Sequence, residues 1–248
     1  MVGVSLLDEA GREAAGVFLT RCLRLDPGAV VRLRPAAPRR VPGAAGPGRD
    51  PGGAGASAPG DGVPGDGAPG GGAEDAGLWV RLPFGVLVSL RVRAARGLDA
   101  TVFAGDLLGA LSAPIVVLPE RREHSWRWSL PPDQGVEVDR LLAADVRRVS
   151  AVAAATLRTA VASGVGGRSV GDRALRDGLL DHVPFVVTTE AGDLVPVSQR
   201  LVQAVMRAGF VADGDDTPVG VRVVGRWVGL ATAHGAAWHR PSAVTAPR

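Results

Sequence analysis

The sequence predicts an α+β fold, a mixed sheet packed with about four to five helices and broken by a disordered Gly/Pro-rich insertion. Short β-branched runs of period two occur in both halves of the chain, "VLVSLRV" in one and "VRVVG" in the other. Apolar residues at helical spacing recur over 6–25, 138–160 and 201–206. The two kinds of segment neither alternate regularly nor segregate, which favours α+β over a doubly wound fold.

Leu7, Ala14, Phe18, Cys22 and Leu25 place a helix over residues 6–25, with Asp26-Pro27-Gly28 as its stop. "AVVRLRP" then reads as a strand. Residues 35–77 hold 14 Gly and 8 Pro in 43 positions, with no aromatic residue. Such a segment buries too little surface to offset its ordering entropy, so it reads as disordered. "LWVRLP" follows as a strand, and because it resembles the one before the insertion, the two are expected to be neighbours joined by a swollen loop. "FGVLVSLRVRA" is a third strand. A short helix at roughly 101–111 and an apolar strand "PIVVL" come next. The stretch "REHSWRWSL", residues 122–130, reads as a strand with His124, Trp126 and Trp128 on one face, ending at Pro131-Pro132.

The second half is more helical. Val138, Leu142, Val146, Val149, Ala153, Leu157 and Ala160 mark a helix of about 25 residues that "GVGG" ends. Ser169 is placed to cap a helix running to about Asp181. "FVVTTEAGDLVPV" is a hairpin turning at Ala191-Gly192. Ser198 caps a helix closed by Gly209, and "VGVRVVGRWVGLA" is a final strand or strand pair. The implied organisation is an N-terminal α+β subdomain (1–34 plus 78–132), the insertion (35–77) and a helix-rich C-terminal α+β subdomain (133–248).

Composition excludes more than it assigns. All 28 basic side chains are Arg, so Schiff-base chemistry, pyridoxal phosphate attachment and lysine-dependent phosphate loops are out. A net charge of +3 makes the chain mildly basic, and the pI of about 10.6 reflects the shortage of groups titrating between roughly pH 8 and 12. One cysteine, Cys22, forms no intramolecular disulfide and fits a reducing compartment. The N-terminus lacks signal-peptide features and no long apolar run occurs, so the chain is expected to be cytoplasmic and off the membrane.

Two surfaces are candidates for binding. Alternation sets Arg32 with Arg34, Trp79 with Arg81, and Arg91 with Arg93 opposite the aliphatic positions; with Arg121, Arg122, His124, Trp126 and Trp128 they form a binding set if the faces coincide. A solvated Arg face and a buried Trp face are the plain alternative. The turn 164–169, with Gly166, Gly167, Arg168 and Ser169, is an anion-site candidate, and a C-cap between helices is its plain alternative. His234 and His239 match no zinc spacing, and no G-x-S-x-G occurs, so no catalytic residue, metal or cofactor is assigned and an enzyme is the less favoured reading.

"FLTRCLRLDPGAVVRLRP", "LWVRLPFGVLVSLRV", "VGDRALRDGLLDHVPFVV" and "VPVSQRLVQAVMRAGFV" resemble a family of uncharacterised proteins encoded by high-GC Gram-positive bacteria. The resemblance implies one folded cytoplasmic unit and carries over no functional residue. The expected role is therefore non-catalytic binding, first of a protein partner. Nucleic acid on the Arg/Trp face and a phosphorylated small molecule at 164–169 are the rivals; oligomeric state is left open.

Overall fold

The computed structural model describes residues 6–36, 73–132, 135–163 and 172–241. Expectations for 37–72 and for the turn holding Gly166, Gly167, Arg168 and Ser169 lie outside the described residues.

Helix α1 (Glu9–Leu25) starts where Asp8 accepts a hydrogen bond from the Gly11 amide at 2.8 Å, and buries Ala15, Phe18, Leu19 and Cys22 at helical spacing. Three antiparallel strands follow, β1 (Val30–Pro35), β2 (Ala73–Arg81) and β3 (Leu87–Ala95). The two strands flanking the Gly/Pro-rich segment are thus neighbours, with Val31 opposite Val80. Strand β4 (Ala100–Phe103) pairs with β1 and runs directly into α2 (Ala104–Ala110). The second half opens with β5 (Val136–Leu142), α3 (Ala143–Ser163) and α4 (Asp172–Asp181). A hairpin of β6 (Phe185–Thr188) and β7 (Leu194–Val197) leads to α5 (Gln199–Ala208), then β8 (Pro218–Val224), β9 (Trp227–Thr232) and β10 (Gly235–His239).

Eight strands form one sheet in the order β4-β1-β2-β3-β10-β9-β8-β5. Each half presents a helix followed by a three-strand meander, α1-β1-β2-β3 and α5-β8-β9-β10, with an added strand at the outer edge. The halves join where Leu87, Val88 and Ser89 of β3 pair with Trp238, Ala237 and Ala236 of β10. One sheet face carries Val31, Leu33, Leu78, Val80, Val88, Val219, Val221 and Leu230, all fully buried under helices. On that side α1 and α5 touch. Phe18 and Phe210 stack with centroids 5.8 Å apart, and Arg21 donates to the carbonyls of Ala208 and Gly209 at the end of α5. Gly209 sits at φ +71°, the left-handed turn that closes a helix.

The α+β class stands, and several elements differ from expectation. Every pairing among the described strands is antiparallel, where a mixed sheet was expected. Residues 73–77, read as insertion, are ordered in β2 because they pair with Arg91–Ala95. The 101–111 helix begins only at Ala104, since β-branched Thr101 and Val102 pair with β1. "PIVVL" is no strand; the Val116 carbonyl accepts from the Leu6 amide and that of Pro114 from the Arg12 guanidinium, and Pro114 and Pro119 bound the run. The long helix of the second half starts at Ala143, because residues 136–142 pair with β8 through a bulge between Glu137 and Asp139. Strand β10, which sequence reading left unassigned, completes the sheet.

Phe210→Ala should lower unfolding free energy by about 3–5 kcal/mol in urea, through loss of the ring stack and the cavity left behind. Burial pushes the Cys22 thiol up to about 12, so at pH 8 it should react with a thiol reagent only as fast as the protein unfolds. Rapid native labelling would contradict the packing of α1.

Candidate functional site

The other sheet face carries the polar residues of the same alternation. Arg32 lies opposite Trp79, and Trp79 opposite Ser89; one step along, Arg34 lies opposite Gly77, and Gly77 opposite Arg91. Trp79, Arg81, Arg91 and Arg93 therefore share one face. The indole of Trp79 leans over Gly77, where a Cβ would lie 2.6 Å from its Nε1. Trp238 lies over Gly229 in the same way, with a Cβ there 2.6 Å from the ring. Glycine at these two strand positions is what lets each indole approach the backbone.

The segment joining the two halves crosses this face. It is not the expected strand: a 3-10 turn over Glu123–Ser125 interrupts it, and the rest is irregular. The physical reason is that Trp126 turns down onto Leu87 and Trp238, forming a second apolar cluster at the seam. Trp126 is 8% exposed and donates its Nε1–H to the Trp128 carbonyl at 2.7 Å. Trp128 stands edge-on to it, centroids 5.3 Å apart at 88°, and is 36% exposed with the Arg81 guanidinium 5.0 Å from its ring. His124 stays exposed in the 3-10 turn, so the three rings do not share a face. Arg122 donates its backbone amide to Thr101, sets its guanidinium over Phe103 and pairs with Glu120; Arg121 pairs with Glu123.

Beside this cluster the face holds a groove of about 340 Å³, bounded by Trp79, Trp238 and Leu130 and by Arg34, Arg91 and Arg222. Most arginines of the face are already engaged. Arg32 holds Asp99 through two nitrogens, Arg91 and Arg93 share Asp75, and Arg222 reaches Glu137 at 3.4 Å. Hydrogen bonding from Arg140, opposed by burial and helped by the charges of Arg140 and Arg222, holds the Glu137 carboxyl below its usual range. Arg34 is exposed and makes no ion pair among the described residues. Alternation along β1 placed Arg34 in the sequence; Trp238 carried no such signal, because small residues precede it.

A polar cluster lies at the start of α5. Ser198 occupies the N-cap position, but its hydroxyl makes no cap bond and faces His239 Nδ1 at 3.4 Å. Arg200 bonds Asp181 at 2.8 Å and the Phe84 carbonyl at 2.8 Å. Burial and then the Arg200 charge lower the His239 pKa, against the pull of Asp181; the Arg200 hydrogen bond lowers that of Asp181. Among the described residues no group of three His, Cys, Asp or Glu side chains is placed to hold a metal, and no helix is long and apolar enough to cross a membrane.

Residues 130–244 match the model of a domain of unknown function, DUF8185. No curated protein matches the chain. Among solved structures, it is similar to the DNA polymerase III β subunit of Thermotoga maritima at 10% identity and a TM-score of 0.46, covering 98% of this chain and 65% of that one. It is also similar to a putative β subunit from Eubacterium rectale (6% identity, TM-score 0.47, 96% and 64% covered) and to that of Pseudomonas aeruginosa (12%, 0.45, 95% and 64%). The chain spans just under two thirds of the length of these proteins.

A histidine whose pKa is lower folded than unfolded takes up fewer protons in the native state, so stability is lost as pH falls below the unfolded value near 6.5. Between pH 7.5 and 5.5 the wild type should lose more stability in urea than His239→Gln. Equal losses would remove His239 as the cause.

Proposed function

We propose that the protein acts by binding rather than by catalysis, and that its open sheet face takes an acidic, apolar segment of a protein partner in the cytoplasm. The groove beside Trp79 and Trp238 carries this reading, because it sets aromatic walls next to Arg34, an exposed cation with no carboxylate partner among the described residues. Buried aromatic anchors flanked by arginine supply most of the energy at protein interfaces. Trp126 packs on Trp238 beside the groove, and the glycines under the indoles of Trp79 and Trp238 let these walls lie against the sheet before binding, which limits the entropy lost on docking.

The ion pairs of the face favour protein over nucleic acid. Arg32, Arg91, Arg93, Arg122 and Arg222 each sit beside a carboxylate. A polyanion needs many such cations released at once. An acidic peptide needs one or two, and Arg34 is already available.

Panning a random peptide display library on the full chain should enrich sequences in which Asp or Glu adjoins Leu, Phe or Trp. Their affinity should fall about tenfold or more in Trp79→Ala, and likewise in Arg34→Glu/Arg91→Glu. Peptides that bind these variants unchanged would overturn the reading. So would tight duplex DNA binding, steeply salt-dependent and lost in the same variants.

A further inference from the structure

The α3–α4 hairpin overhangs the helix-covered side of the second half without closing on it. Among its described residues α3 fully buries only Ala143 and Val146, and α4 fully buries none. Its apolar positions Ala153 and Leu157, with Leu179 and Leu180 of α4, line a cavity of about 550 Å³ whose other wall is α5. Amphipathic helices are held in place by burial of their apolar face. Here that face meets open space of the size that small-molecule sites have.

The lining says what would fill it. Gln199, in the first turn of α5, borders the cavity and is 2% exposed, yet neither its Oε1 nor its Nε2 has a hydrogen-bond partner. Native structures keep few buried amides in that state, because each unmet group is costly. The terminal torsion of glutamine is broad, so the amide can turn toward an occupant while α5 stays fixed. It can donate to a C=O or accept from an N–H, so a trans secondary amide, whose N–H and C=O point to opposite sides, can satisfy either one of its two groups. Arg158, Arg176 and Arg207 line the cavity from three helices, and no carboxylate among the described residues does. Arg158 and Arg207 are exposed and make no ion pair among the described residues.

We propose that this cavity binds a small amphipathic acid of the N-acyl amino acid class. Its apolar body lies against Leu157, Leu179 and Leu180, its amide meets Gln199, and its carboxylate is held by Arg158 and Arg207. The site is on the opposite side of the sheet from the Trp79 groove and stands independently of that reading.

Titration calorimetry on the full chain with three probes tests this: N-octanoyl-leucine, N-octanoyl-leucinamide, which lacks the carboxylate, and decanoic acid, which lacks the amide. N-octanoyl-leucine should bind once per chain, and each of the others about tenfold more weakly or worse. Arg158→Gln/Arg207→Gln should weaken N-octanoyl-leucine by a similar factor and erase its advantage over the leucinamide. Gln199→Leu keeps the volume and removes the orphaned amide, so it should raise Tm by about 2–4 °C while erasing the advantage over decanoic acid. Absence of N-octanoyl-leucine binding, equal affinity for all three probes, or affinities unmoved by both variants would overturn the proposal.

Discussion

The seam between β3 and β10 is the constraint on which the rest of the molecule depends. Three residue pairs, Leu87–Trp238, Val88–Ala237 and Ser89–Ala236, turn two four-strand halves into one sheet. That short contact is reinforced from both sides. On the helix side the Phe18–Phe210 stack and the Arg21 contacts to the end of α5 cross the same junction. On the open side Trp126 covers Leu87 and Trp238. Each reinforcement joins residues far apart in sequence, so neither half presents its finished surface without the other. The groove draws Trp79 and Arg91 from the first half and Trp238 and Arg222 from the second.

Legibility in the sequence followed the strength of local signals. The α1 stripe ending in Asp26-Pro27-Gly28, the Gly192 turn of the β6–β7 hairpin and the Gly209 stop of α5 were all readable, because each rests on a local backbone demand. Strand β5 was misread because Val138, Leu142 and Val146 fit a helical spacing that continues into α3; only pairing with β8 decides between them. Strand β10 is Gly-Ala-Ala-Trp-His, poor in β-branched residues, and its conformation is imposed by neighbours on both sides. For the open face, alternation correctly grouped Trp79, Arg81, Arg91 and Arg93. It could not foresee Asp75 beside Arg91 and Arg93, or Asp99 beside Arg32, since those pairings depend on how the strands and turns come together. Gln199 carries no local signal in the sequence, and burial alone reveals its amide as orphaned.

The two sides of the sheet solve the problem of covering apolar surface differently. Under α1 and α5, aliphatic strand residues meet helix residues with nothing between them. Toward the α3–α4 hairpin that packing gives way to a cavity bordered by three arginines. The open face is covered by a connecting segment in place of a helix, and one indole on that segment does what a helix face does elsewhere. Rigid strands thus carry the groove, while the more exposed helices carry the cavity.

The bulge in β5 has a bearing on solubility. As an edge strand, β5 turns one row of backbone amides and carbonyls away from β8, its one sheet partner among the described residues, and Val136 and Leu142 beside them are 71% and 48% exposed. An edge of this kind is a template on which another chain can add. The extra residue between Glu137 and Asp139 breaks the run of evenly spaced groups, and the charges of Glu137, Asp139 and Arg140 interrupt the apolar ones. A deletion that straightened β5 would leave the core of the sheet nearly untouched and convert its border into a surface that recruits strands, so the molecule would fail by aggregation before it failed by unfolding.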